Sequence, residues 1–121
     1  MDILELLLNL LFSHQIKIKI LHFQTEYFAR HKTTDKYLKK FNKLFDSFFE
    51  VSQGIFGKLN VDKVHLSFKT VNDTSIVNEL ENLVDTLKKL DRPFEKYTEL
   101  LNIRDEMVEN AEQFIYLLNF K

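Results

Sequence analysis

The residues best suited to chemistry lie in the first half of this chain: His22, then His31 and Asp35 one helical turn apart, then Asp46 and Glu50 one turn apart. Imidazole and carboxylate are ligand types that suit iron or manganese. The chain has no cysteine, which excludes thiolate metal sites, disulfides and cysteine nucleophiles. At about 100° per residue, His31, Asp35, Asp46 and Glu50 fall within about 100° of arc, so a helix carries all four on one face. One face is not one site. Asp35 and Asp46 stand roughly 16 Å apart along a straight helix, too far to share an ion. An antiparallel twofold partner would set the His31/Asp35 pair of one chain against the Asp46/Glu50 pair of the other. Two equivalent clusters of one imidazole and three carboxylates would result. The same spacing equally describes a solvated face on which Lys32, Lys36, Lys39, Lys40 and Lys43 pair with these acids.

His22 follows an apolar run one turn before the expected chain reversal, placed either to ligate toward the second helix or to be hydrogen-bonded in the core. His14, two turns upstream, is open to the same two assignments, and His65 is given no role. A second polar patch comprises Asn102, Arg104, Asp105, Glu106 and Glu109. In one reading Asp105 or Glu109 joins His22 and Glu50 in an intrachain carboxylate site. In the other, Arg104 pairs with buried acids of the second helix and fixes its register. The lack of a Glu-x-x-His motif favours the second. No Gly-rich phosphate loop or Ser/His/Asp triad order stands out.

Positioning these groups requires helices. Two glycines and one proline in 121 residues leave little of the punctuation that a β fold with many turns needs, so the expected class is all-α, in a single domain over residues 1–121. From Ile3 to His22, Leu4, Leu7, Leu8, Leu11 and Leu21 recur at helical spacing. Thr25 is placed as N-cap of a second helix over about Glu26 to Lys58, with Thr34 as a later alternative start. Its aromatic bulk, from Tyr37 to Phe56, suggests contact on more than one side and a shared interface. Gly54 and Gly57 fall inside it, where they would permit a close backbone approach or a bend. Asn60 to Asp73 reads as an ordered connection crossing the end of the bundle. A third helix is expected from Thr74 to Leu90, and a fourth capped by Asp91, with Pro93 in its first turn, running to Leu118. Two helices, a long link and two more helices make a four-helix bundle of ferritin-like pattern.

A net charge of -1 and no Lys/Arg-rich arm argue against strong nucleic-acid binding. The apolar opening carries Asp2 and Glu5 where a signal peptide is basic, and it is too short to span a bilayer, so neither secretion nor a membrane partner is expected. An intracellular protein follows, and the Asn72-Asp73-Thr74 glycosylation pattern is taken as chance. The expected partner is a second copy: a homo-oligomer, at least a dimer, through the second helix.

His22-Phe23, His31-x3-Asp35 and Asp46-x3-Glu50 together resemble the ferroxidase pattern of the miniferritins, the DNA-protecting proteins of starved cells. That resemblance implies a ferritin-like fold and an iron or manganese site for oxidation of Fe(II). It implies that His22, His31 and Asp35 come from one chain and Asp46 and Glu50 from its partner. Phe23 stands where that family has a tryptophan. Over nearly the whole length, Leu21-His22-Phe23-Gln24-Thr25, Ala29-Arg30-His31, Gln53-Gly54, Asn102-Ile103-Arg104-Asp105-Glu106 and Tyr116-Leu117-Leu118 look like short proteins encoded by large DNA viruses. This second likeness implies a host cytoplasm or virion location and is silent on activity. A metal-free helical interaction or virion structural protein is the alternative it leaves open.

Overall fold

A computed structural model describes residues 2–121, and among them all regular structure is helical. Helix α1 spans Ile3–Gln24, α2 Phe28–Phe56, α3 Ile76–Lys88 and α4 Thr98–Leu117, with a short 3-10 turn at Lys89–Asp91. The Asp2 carboxylate accepts the Leu4 amide at 3.2 Å and starts α1.

Contacts along the helices fix their directions. His14 of α1 meets Tyr37 of α2, and His22 meets His31, so these two run antiparallel. The Tyr37 ring lies 4.7 Å from Phe114 and the Phe56 ring 4.9 Å from Tyr97, so α4 runs antiparallel to α2. Arg104 reaches back to the Leu87 carbonyl, which sets α4 antiparallel to α3. Helices α2 and α3 are therefore parallel, and the link between them must return the full length of the bundle. It does so along α1. Asn60–Lys63 lie beside Glu5, Leu8 and Asn9; Lys17 sits over the Phe68 ring; and Asp73 bonds Thr25 at the far end. The result is an all-helical bundle of four helices with one long connection, as expected, but the connection runs the length of α1 rather than crossing the end of the bundle, because α2 and α3 are parallel.

The inner stripe of α2 is aromatic: Tyr37, Phe41, Phe45, Phe48 and Phe49 are all buried. Phe45 packs edge-on against Phe12 of α1 at 5.0 Å, and Phe48 against Phe94 at 5.8 Å. Each ring contributes roughly 1.5–3 kcal/mol by leaving water. The aromatic bulk is thus accounted for by two neighbours within the chain, and the inference of a shared interface from that bulk loses this support.

Helix boundaries differ from the sequence expectation at both ends of α2 and α3 and at the start of α4, with α3 spanning Ile76–Lys88 rather than Thr74 to Leu90. Helix α2 begins at Phe28 with no side-chain cap from Tyr27; the Thr25 hydroxyl accepts the Tyr27 amide at 3.2 Å just ahead of the helix while donating to Asp73 Oδ1 at 2.6 Å. It ends at Phe56, since Gly57 takes φ of 91° and leaves the helical region. Helix α4 begins only at Thr98, because the Asp91 carboxylate accepts from Arg104 rather than capping it, and Pro93 sits in the preceding turn.

Arg30 holds one end of the bundle together. Its guanidinium is buried and donates to the Asp73 carbonyl at 2.7 Å, to Asp73 Oδ1 at 3.0 Å and to the Leu118 carbonyl at 3.2 Å. Asp73 in turn accepts from Thr25 and the Glu26 amide, and although burial opposes it these bonds hold its carboxyl below the usual range. Arg30→Leu should destabilise the fold by about 2–4 kcal/mol in denaturant titration, somewhat less than the roughly 3–5 kcal/mol for a fully buried pair that loses one partner, because Asp73 keeps some exposure. The two glycines should separate cleanly. A Cβ at Gly54 meets nothing within 4 Å, so Gly54→Ala should stabilise by about 0.5–1 kcal/mol. Gly57→Ala should destabilise by about 1 kcal/mol or more, because φ is positive there.

Candidate metal centre at the α1–α2 corner

Two of the five expected ligands come together in the folded chain. The His22 and His31 rings stack with centroids 4.0 Å apart and planes 16° from parallel. Each Nδ1 lies 2.8 Å from the other residue's backbone carbonyl oxygen, a reciprocal pair that spans the last turn of α1 and the first of α2. His22 Nδ1 is also 2.8 Å from the buried Thr34 hydroxyl, which itself donates to the His31 carbonyl. Carbonyl acceptors require a proton on each Nδ1. In the neutral rings the lone pair then falls on Nε2. A backbone carbonyl behind one ring nitrogen is also the usual support of a metal-ligating histidine.

The carboxylates are placed differently. Asp35, Asp46 and Glu50 are exposed on the outer face of α2, and none belongs to an ion pair among the described residues. The lysine pairing that a solvated face would permit is thus not formed. Asp46 and Glu50 lie toward the far end of α2, and no three histidine or acidic residues of one chain are grouped to hold an ion among the described residues. The intrachain set of His22, Glu50 and Asp105 or Glu109 is therefore not assembled. Arg104 is buried, but it pairs with Asp91 and its own neighbour Asp105 and donates to the Leu87 carbonyl. It fixes the turn between α3 and α4 rather than the register of α2. Asn102, Glu106 and Glu109 are exposed.

A second polar cluster escaped the sequence. His14 is buried, with Nδ1 at 2.7 Å from Glu79 Oε2 and Nε2 at 2.7 Å from the Tyr37 hydroxyl. Lys17 donates to Glu79 Oε1 at 3.0 Å, and Asn110 donates to the Tyr37 carbonyl at 3.3 Å. Burial lowers the His14 pKa below 6.5 and pushes that of Tyr37 well up, so both are neutral near pH 7. Burial also opposes charge on Glu79, but hydrogen bonds and charge from His14 and Lys17 outweigh it and hold the carboxyl below its ordinary value. Neutral His14 therefore donates from Nδ1 to the Glu79 carboxylate and accepts the Tyr37 proton at Nε2. The signal was present in the sequence: Leu7, Leu11, His14, Ile18 and Leu21 form one buried stripe of α1, with His14 in the middle.

The fold and corner define a small all-helical bundle with a paired-imidazole clasp between its first two helices. Residues 22–118 match the model of a family described as "Family of unknown function (DUF5856)", and the chain belongs to that family. Among curated proteins and among solved structures, no match is found. No helix among the described residues is long and apolar enough to cross a membrane.

The His14 cluster predicts a pH dependence. An unfolded His14 takes up a proton near pH 6.5, whereas the folded pKa lies lower. Unfolding therefore binds a proton in that window, and the stability contributed by neutral His14 is lost as pH falls. Thermal melts between about pH 7 and about pH 5 should show a falling midpoint, and His14→Gln should flatten that slope.

Proposed function

We propose that this protein is a miniferritin-like metal-binding bundle whose site is shared across a twofold dimer of α2. His22, His31 and Asp35 of one chain would meet Asp46 and Glu50 of its partner. The observation that carries this reading is the state of the two imidazoles: each Nδ1 is engaged by a carbonyl, and each Nε2 is left as the free basic atom. Near-parallel rings cannot both aim in-plane lone pairs at one ion, so each would serve its own, in keeping with a two-ion site. Imidazole with carboxylates suits iron or manganese. Fe(II) would be the substrate, and dioxygen or peroxide would accept its electrons. The chain's own part is to fix the imidazoles through their backbone contacts and to supply carboxylates that hold and bridge the ions. The exposed, unpaired state of Asp35, Asp46 and Glu50 leaves them available to a partner.

A metal-free interaction or virion protein is the second reading. What favours it is that the reciprocal His22/His31 contacts and Thr34 already form a self-sufficient clasp at the corner.

Anaerobic Fe(II) titration and melting of untagged protein separate the two. A metal site predicts stoichiometric uptake and a raised wild-type midpoint with iron or manganese, by mass action. Asp46→Asn with Glu50→Gln should abolish both while shifting apo stability by no more than about 0.5 kcal/mol per site, because both side chains are exposed. Light scattering should show a dimer or a larger closed assembly. An unchanged wild-type melt without uptake, or full uptake by a monomer, would overturn the shared site.

A further inference from the structure

The end of the bundle where α1 turns into α2 and α4 finishes concentrates exposed rings. Phe23 is 70% exposed, Phe28 71%, Tyr116 61% and Phe120 52%. They share this end because Arg30 ties the corner to the Leu118 carbonyl and Lys121 reaches the Tyr27 ring. Single exposed apolar residues are ordinary, but several rings gathered at one end of a small domain mark an interaction surface.

The surface has a second property. Lys19 lies 5.2 Å from the centre of the Phe23 ring, Lys32 5.2 Å from that of Phe28 and Lys121 5.3 Å from that of Tyr27. Of the nearby acids, Asp73 is already held by Arg30 and Thr25, and Glu26 and Asp35 remain as exposed carboxylates, Asp35 sharing a cleft with Lys19 and Lys39. Apolar rings with ammonium groups beside them call for a counterpart that is both apolar and anionic.

Shape and charge narrow the choice. A partner helix requires a groove, whereas the clefts described on this molecule run along its flanks and are not lined by these rings. A second copy placed end to end would bring Lys19, Lys32 and Lys121 against their own counterparts. A bilayer with anionic headgroups meets both conditions: the rings enter the boundary between headgroups and acyl chains, and the lysine stems follow them while the ammonium groups stay among the headgroups. We propose that this aromatic and basic end docks the protein peripherally on anionic bilayer surfaces. Setting a membrane partner aside rested on spanning length, a criterion with no bearing on docking at the surface. Phe23 packs 5.5 Å from the His22 ring, so this surface borders the proposed metal corner, and docking is to be tested without added metal.

The test is sedimentation of the full chain with vesicles of phosphatidylcholine containing about 30% phosphatidylserine, and with phosphatidylcholine alone, at low and physiological salt. Binding is expected to the anionic vesicles only and to weaken with salt. Phe23→Ala with Phe28→Ala should reduce partitioning by more than about tenfold. Lys19→Gln with Lys32→Gln should reduce it by about tenfold or more. The four side chains are at the surface, so melts of both variants should match wild type, which separates lost docking from lost folding. Absence of binding to anionic vesicles, or phenylalanine variants that bind as wild type does, would overturn the proposal. So would wild-type retention of single-stranded oligothymidylate in place of vesicles, or loss in the variants of self-association alone. The first would assign the rings to base stacking and the second to a second copy.

Discussion

One buried guanidinium organises the architecture. Arg30 leaves water only because three oxygens from two other parts of the chain receive it: the Asp73 carbonyl and carboxylate at the end of the connection, and the Leu118 carbonyl at the end of α4. An uncompensated charge in that position would be costly, so the corner, the start of α3 and the end of α4 must arrive together. Thr25 and the Glu26 amide complete the set from the corner itself. At the opposite end Arg104 does the same between α3 and α4, through Leu87 and Asp91. Between these two cations the core is a nearly continuous run of rings and leucines.

This division of labour explains what could be read from the linear chain. Helices with apolar residues at three- and four-residue spacing were legible because that period follows directly from which face is buried. The number of helices and the long connection followed, but not its course along α1, which depends on the parallel arrangement of α2 and α3. Helix ends were less legible, because capping depends on whether a side chain is free to cap. Asp91 is a good cap residue by local chemistry, but its carboxylate accepts from the remote Arg104, and Thr25 accepts the Tyr27 amide ahead of α2 while its hydroxyl is oriented by donation to Asp73. Gly57 was placed inside the second helix because no other residue up to Lys58 breaks it, whereas its positive φ ends the helix at Phe56.

The candidate site was legible in a similarly divided way. Spacing alone put His31, Asp35, Asp46 and Glu50 on one face, and their exposure bears that out. The approach of His22 to His31 depended on the length and angle of a three-residue corner, which the sequence suggested only through the position of the chain reversal. The His14, Tyr37, Glu79 and Lys17 network was invisible because Glu79 belongs to α3, more than sixty residues from His14. A polar residue inside an apolar stripe was the available clue, and its partner was a matter of tertiary structure.

The course of the connection has a consequence for how the chain can be divided. Because it runs back along α1 without contributing a helix, the molecule consists of two antiparallel hairpins, α1 with α2 and α3 with α4, joined by one strap. The strap is exposed from Asn60 to His65 and is anchored at its two ends and near Phe68. A break between Val61 and His65 cuts no helix and leaves the contacts of α2 with α4 intact. The two halves are therefore natural fragments for complementation, each carrying one side of the ring-lined interface and neither able to bury it alone.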